Sequence, residues 1–139
     1  MRFRRQFSGQ DLVEYALLLP LMLIMIMGIF DLGRITFTYG TIVNISREGA
    51  RYGVVNQCAT NADVKAAVKD KSLGIDPNDL IFTISWVPAN CLSPDPPGSG
   101  TVTVSVSSDF TPITPFIAGI LGGGSTITLN GTTTMYLEL

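Results

Sequence analysis

Apolar residues along the chain fall into two patterns. From Tyr15 to Phe30, sixteen residues run without a charge (YALLLPLMLIMIMGIF), and adding Leu12 and Val13 gives a 19-residue window whose single charge is Glu14. A bilayer core takes about 20 apolar residues in an α-helix, so this segment is long enough to span one. Pro20 predicts a kink. In water it would cost about 3 kcal/mol in a helix interior, whereas in a membrane neighbouring helices can satisfy the freed carbonyl. After Arg34 the continuous run gives way to a stripe. Ile35, Tyr39, Ile42 and Val43 recur at helical spacing among Asn44, Ser46, Arg47, Glu48 and Arg51. The spacing predicts one helix over residues 10–51, about 63 Å long at 1.5 Å per residue; two helices with a bend near Gly40 are the alternative. Asp31 and Arg34 stand three apart and pair on one face.

Beyond this helix the periods shorten. Asn61 to Lys71 reads as a short helix with Asn61 as N-cap and Val64, Ala67 and Val68 as its apolar stripe. Leu80 to Val87 reads as a strand with Phe82, Ile84 and Trp86 on one face. Thr101 to Ser107 alternates strictly through Val102, Val104 and Val106, and Ile127–Leu129 and Thr134–Leu139 complete the sheet. The stretch TPITPFIAGILGGG, residues 111–124, is apolar but broken by Pro112, Pro115 and Gly119. It reads as a loop or short helix over the sheet, with a subunit-contact patch as the alternative. The expected fold class is α+β: a long N-terminal transmembrane or filament-core helix followed by a small strand-rich globular head. The expected boundaries are a basic leader over 1–9, the helix over 10–51 and the head over 52–139.

Charge then orients the chain. Arg2, Arg4 and Arg5 precede the span and no acid occurs before Asp11, so by the positive-inside rule the N-terminus stays cytoplasmic and the head is exported. A cleaved signal peptide would end in a small-residue site; here the run ends in Gly28-Ile29-Phe30-Asp31. A plain single-pass anchor remains open, but it gives Glu14 no role. A carboxylate is expensive in a membrane span, about 2.5–3.5 kcal/mol at the helix centre on insertion scales, and less near an interface. Either headgroups solvate it or a cation pairs with it. A cut after Gly9 would make Gln10 a new amine, and that amine on a neighbouring, axially shifted helix could neutralise Glu14. If the leader is retained, Arg2, Arg4 and Arg5 supply the cations instead.

Composition narrows the chemistry. Charged residues make up 14% of the chain, against about 25% in typical soluble proteins. There is no histidine and there are two cysteines, which removes Ser-His-Asp and Cys-His catalysis and an ordinary zinc site. With a net charge of −2 and a pI near 4.8, nucleic acid is not an expected partner. Gly122-Gly123-Gly124 lacks the helix context of a phosphate loop, and Asp76, Asn78 and Asp79 lack the full ligand spacing of a calcium loop. The expectation is no catalytic residue, metal, cofactor or small-molecule substrate: a structural protein rather than an enzyme. Cys58 and Cys91 both follow the span, and on an oxidising side they would form one disulfide. Closing a loop of about 34 residues stabilises by roughly 3–4 kcal/mol in the chain-entropy model. Two free buried thiols are the alternative. Intact mass with and without reductant is expected to show the bridge; two alkylatable thiols in the native protein would refute it.

The residues around Glu14 carry a family resemblance. Ser8-Gly9-Gln10-Asp11-Leu12-Val13-Glu14-Tyr15-Ala16 resembles the processing site of Tad/Flp prepilins, in which a glycine is followed five residues on by Glu-Tyr. The longer run GQDLVEYALLLPLMLIMIMGIFDLGR is similar to the N-terminus of TadE-like minor pilins, or pseudopilins, of the type IV pilin superfamily. Gly9, Gln10, Val13, Glu14, Tyr15, Leu19, Pro20, Gly28, Asp31, Gly33 and Arg34 match in order. The resemblance implies cleavage between Gly9 and Gln10 by a prepilin peptidase, and assembly through Glu14 and Tyr15 with other copies or other pilin subunits. It also implies residence in a bacterial cytoplasmic membrane, then in an extracellular pilus serving adhesion or colonisation. The rivals are a membrane-anchored exported binding domain that never polymerises, and a secretion-system pseudopilin.

Overall fold

Residue 9 opens a helix that does not end until residue 55. The computed structural model describes residues 9–87, 100–114, 119 and 125–137. Arg2, Arg4, Arg5, Cys91, Leu139 and most of the 115–124 stretch lie outside the described residues. Helix α1, Gly9–Val55, passes through both Pro20 and Gly40 without interruption. Its 47 residues make a rod about 70 Å long. The helix is long and apolar enough to cross a membrane, with a mean hydropathy of 2.3 over its best window, none of it buried within the chain.

The upper half of α1 is the backbone of the head. Asp31, Ile42, Ile45, Ser46, Gly49, Ala50 and Gly53 are buried, and their spacings of three and four mark the face that meets the sheet. The exposed Tyr39 corrects the expected stripe: Ile35 and Thr38, both half-buried, carry it through that turn.

The sheet has three antiparallel strands in the order β1-β2-β3, with β1 at Ile81–Val87, β2 at Thr101–Phe110 and β3 at Ile127–Tyr136. Val102, Val104 and Val106 of β2 are fully buried and stand opposite Trp86, Ile84 and Phe82 of β1. The other face is polar, where hydroxyl pairs Thr103–Thr134 and Ser105–Thr132 lie 2.8 and 2.9 Å apart. Period-two alternation thus sorts the valines inward and the threonines outward.

The expected segments 127–129 and 134–139 are not separate: one strand runs from Ile127 through to Tyr136, and Leu137 follows it outside the strand. Asn130-Gly131 lies inside β3, with Gly131 opposite Val106. The glycine is there for space. A methyl added to it would stand 3.0 Å from Ile42 Cγ2 and 3.2 Å from the Val43 backbone. Because a backbone cannot step aside as a side-chain tip can, Gly131→Ala is expected to cost about 1–3 kcal/mol. Denaturant unfolding of the detergent-solubilised chain measures it, and an unchanged midpoint would remove the close-packing account. Beside this contact the buried Ser46 hydroxyl lies 2.8 Å from that of Thr133, so a polar pair is satisfied across the helix–sheet interface.

Helix α2, Asn61–Val68, continues as a 3-10 turn over Lys69–Lys71. Its N-cap is Thr60 rather than Asn61: Thr60 and Asp63 exchange side-chain-to-backbone bonds in a capping box. The hydrogen bonds from Thr60 hold the Asp63 carboxyl below its usual range. Asn61 is used elsewhere, its Oδ1 accepting the Ile84 N–H from the open edge of β1 at 3.0 Å. Val64 and Val68 are buried as expected, while Ala67 is exposed.

Candidate functional site

Two places on α1 concentrate chemistry. The first is its N-terminal end. Gly9 and Gln10 begin the helix, and Asp11, Glu14, Tyr15 and Leu18 follow at intervals of three and four, lining one shallow concavity of about 250 Å³. Glu14 is exposed and Tyr15 is 72% exposed. The ion pairs among the described residues are Asp31–Arg34 and Glu48–Arg51, so Glu14 has no cation beside it there. Around it Leu12, Val13, Leu17 and Leu18 are all exposed. The carboxylate therefore sits on an apolar cylinder that the rest of the described chain does not cover.

The second place is the end of the charge-free run. Asp31 is fully buried. Its Oδ1 accepts the Ile113 N–H at 3.0 Å and its Oδ2 the Thr114 N–H at 2.7 Å. The expected partner, Arg34, is present at 3.6 Å but half in solvent. The Arg34 guanidinium also lies over the Phe110 ring, 5.0 Å from its centroid, within cation–π range. Asp31 thus fastens the segment after β2 to the point where α1 leaves its apolar run. A partial signal for this lies in the two prolines: they have no N–H to donate, so between Pro112 and Pro115 the donors are Ile113 and Thr114 alone.

Cys58 lies in the turn between α1 and α2, with a positive φ of 64°, a left-handed conformation unusual for a non-glycine residue. Among the described residues no cysteine is free, and no group of three His, Cys, Asp or Glu side chains is placed to hold a metal ion. Residues 9–51 match the family model of the TadE-like protein family. The match covers α1 from its first residue to Arg51 and leaves the head outside it. It bears out the TadE-like character read from Gly9 to Arg34. No curated protein and no solved structure matches the chain.

Proposed function

We propose that this chain is a pilin-like structural subunit, held in the membrane by the lower half of α1 and assembled through that half into a Tad-type surface pilus. The observation that carries the reading is Glu14: a carboxylate on a helix of exposed apolar side chains, with no cation beside it among the described residues. Lipid covers such a helix during storage. A bundle of like helices covers it in a filament, where cleavage after Gly9 would free the Gln10 amine to meet a neighbour's Glu14. The TadE-like match over 9–51 supports the same reading, since the matched residues are those a filament core would use.

In this proposal Arg2, Arg4 and Arg5 hold the leader on the cytoplasmic side until a prepilin peptidase removes it. The head, tied by a Cys58–Cys91 disulfide, faces outward, and adhesion or colonisation is the use of the finished fibre. The test is electron microscopy of material sheared from cells with and without the protein, together with N-terminal sequencing of the native chain. Filaments that need the protein and begin at Gln10 are expected. Sheared material that is identical in both strains would leave the membrane-anchored binding domain as the better reading.

A further inference from the structure

A cavity stands where α1 leaves its apolar run. The window from Leu12 to Phe30 measures about 28 Å along the helix, close to the roughly 30 Å of a hydrocarbon core, so the membrane boundary falls at Phe30. The cavity, of about 580 Å³, starts at that level, and its lower lip is Ile29 and Phe30. Each is 67% exposed. Above them α1 contributes Arg34 and Phe37, and the facing wall is the 74–79 loop with the end of β2. That loop is seated on the helix through Gly74, whose φ is 75°; a methyl there would stand 3.1 Å from the Phe37 ring. Arg34 lies four residues past Phe30, about 6 Å farther along the axis. The headgroup layer on each side of a bilayer is about 5–8 Å deep. The cavity therefore lies in the layer that phospholipid headgroups occupy.

Arg34 is fixed there without being satisfied. Its guanidinium lies over the Phe110 ring, yet among the described residues it makes no hydrogen bond. The Asp31 oxygen is 3.6 Å away, too far for one. Both Asp31 oxygens already accept main-chain N–H groups, from Ile113 and Thr114. A planar fork of donors, held in place and half exposed, matches the paired oxygens of a phosphate. A phosphate alone is a poor ligand, because Asp76, Asp79 and Asp109 share the cavity. Where these acids accept hydrogen bonds the donors are neutral, the Asn78 N–H on Asp76 and the Thr128 hydroxyl on Asp109. A cation alone would leave the guanidinium without an acceptor. Both signs are needed in one molecule, and the exposed Ile29 and Phe30 below offer a path for acyl chains.

We propose that this cavity binds one phospholipid with an ethanolamine headgroup. The phosphate takes the Arg34 fork, the ammonium turns to the aspartates, and the acyl chains run down past Phe30 and Ile29. Ethanolamine suits the carboxylates better than choline, because its N–H groups donate hydrogen bonds. The site rests on the membrane-held form of the chain proposed above, and it needs no filament.

The test reconstitutes the full chain in phosphatidylcholine vesicles carrying a small fraction of phosphatidylethanolamine. A zero-length carbodiimide then couples lipid amines to carboxylates. Peptide mass spectrometry is expected to find the lipid on Asp76, Asp79 or Asp109 and little on Asp70. Asp70 is also exposed, but it adjoins Lys71, which lines a groove with Glu48 and Arg51 high on α1. Arg34→Ala is expected to cut the basal coupling about tenfold or more, through loss of a charge-assisted hydrogen-bonded pair. Arg34→Lys keeps the charge without the fork and is expected to recover part of it. Glycerophosphoethanolamine, the same headgroup without acyl chains, is expected to label Asp70 and the basal acids alike. An Arg34-dependent preference for the basal acids from that soluble probe would overturn the lipid in favour of a soluble ligand. Lipid coupling at Asp70 equal to that at the basal acids, or a parental yield from Arg34→Ala, would overturn the site and leave the pilin reading standing. A parent chain that fails to float with the vesicles would overturn both.

Discussion

Glu14→Ala is expected to abolish filaments while the chain still inserts in the membrane. Insertion depends on the apolar length of α1, which the substitution extends, and it relieves a charge that costs about 2.5–3.5 kcal/mol at the centre of a span. Assembly moves the other way. Once helices pack together, an amine facing position 14 would be left without its counter-charge in a low-dielectric surround, which costs about 3–5 kcal/mol for a buried pair. That is a factor of roughly 10²–10³ or more in subunit affinity at each contact, repeated along the fibre. Glu14→Gln separates charge from shape, since it keeps the size and a carbonyl acceptor but loses the ion pair, and it is expected to fail almost as fully. Glu14→Asp keeps the charge on a shorter stem and is expected to retain part of the yield. Filament counts on sheared material, set against the amount of protein in the membrane fraction, measure each. Parental filament numbers from Glu14→Ala would sink the pilin reading and favour a simple anchor.

The features legible in the sequence are those that a backbone period writes directly. The charge-free run from Tyr15 to Phe30 requires an exposed apolar helix, and the alternation of Val102, Val104 and Val106 requires a strand with one buried face. What escaped depended on contacts distant in sequence. Asn130-Gly131 reads as a break in a strand, yet Gly131 continues β3 because Ile42 and Val43 crowd the space a side chain would fill. Asn61 has the composition of an N-cap, but Thr60 takes that role once Asn61 is drawn to the edge of β1. Tyr39 has the spacing of a core residue and is left outside because the sheet approaches along Ile35, Thr38 and Ile42. The Asp31–Arg34 pair was visible as an i,i+3 spacing, but the stronger partners of Asp31 are two backbone donors 82 and 83 residues away. Main-chain donors have no residue identity, so composition could not name them. At the N-terminal end the residue types were legible and the partner was not, because the proposed cation belongs to another copy.

Those backbone donors set the second large expected effect. Asp31→Ala would leave the N–H groups of Ile113 and Thr114 without their acceptor, the Thr114 N–H in a buried site, and an unsatisfied buried donor is costly to leave. It also frees Arg34 to turn into solvent. The head is expected to lose of order 10 °C in melting temperature. Exchange of the Ile113 and Thr114 amides is expected to accelerate well beyond that of the β2 amides. Asp31→Asn tests whether shape suffices: it offers one carbonyl to one N–H and turns an NH₂ toward the other, so it is expected to fall between Ala and the parent. Arg34→Ala is the decisive comparison. Its ion pair is long, at 3.6 Å, and half in solvent, where such pairs contribute about 0–1 kcal/mol, so only a small shift is expected. If Arg34→Ala melts as low as Asp31→Ala, the salt bridge and not the pair of backbone bonds fastens the loop. If Asp31→Ala alone falls, the segment that follows Phe110 and Thr111 is held by the one acid standing where α1 leaves its apolar run. Head orientation and membrane exit would then be fixed by a single residue, and a loosened head should also assemble poorly even with Glu14 intact.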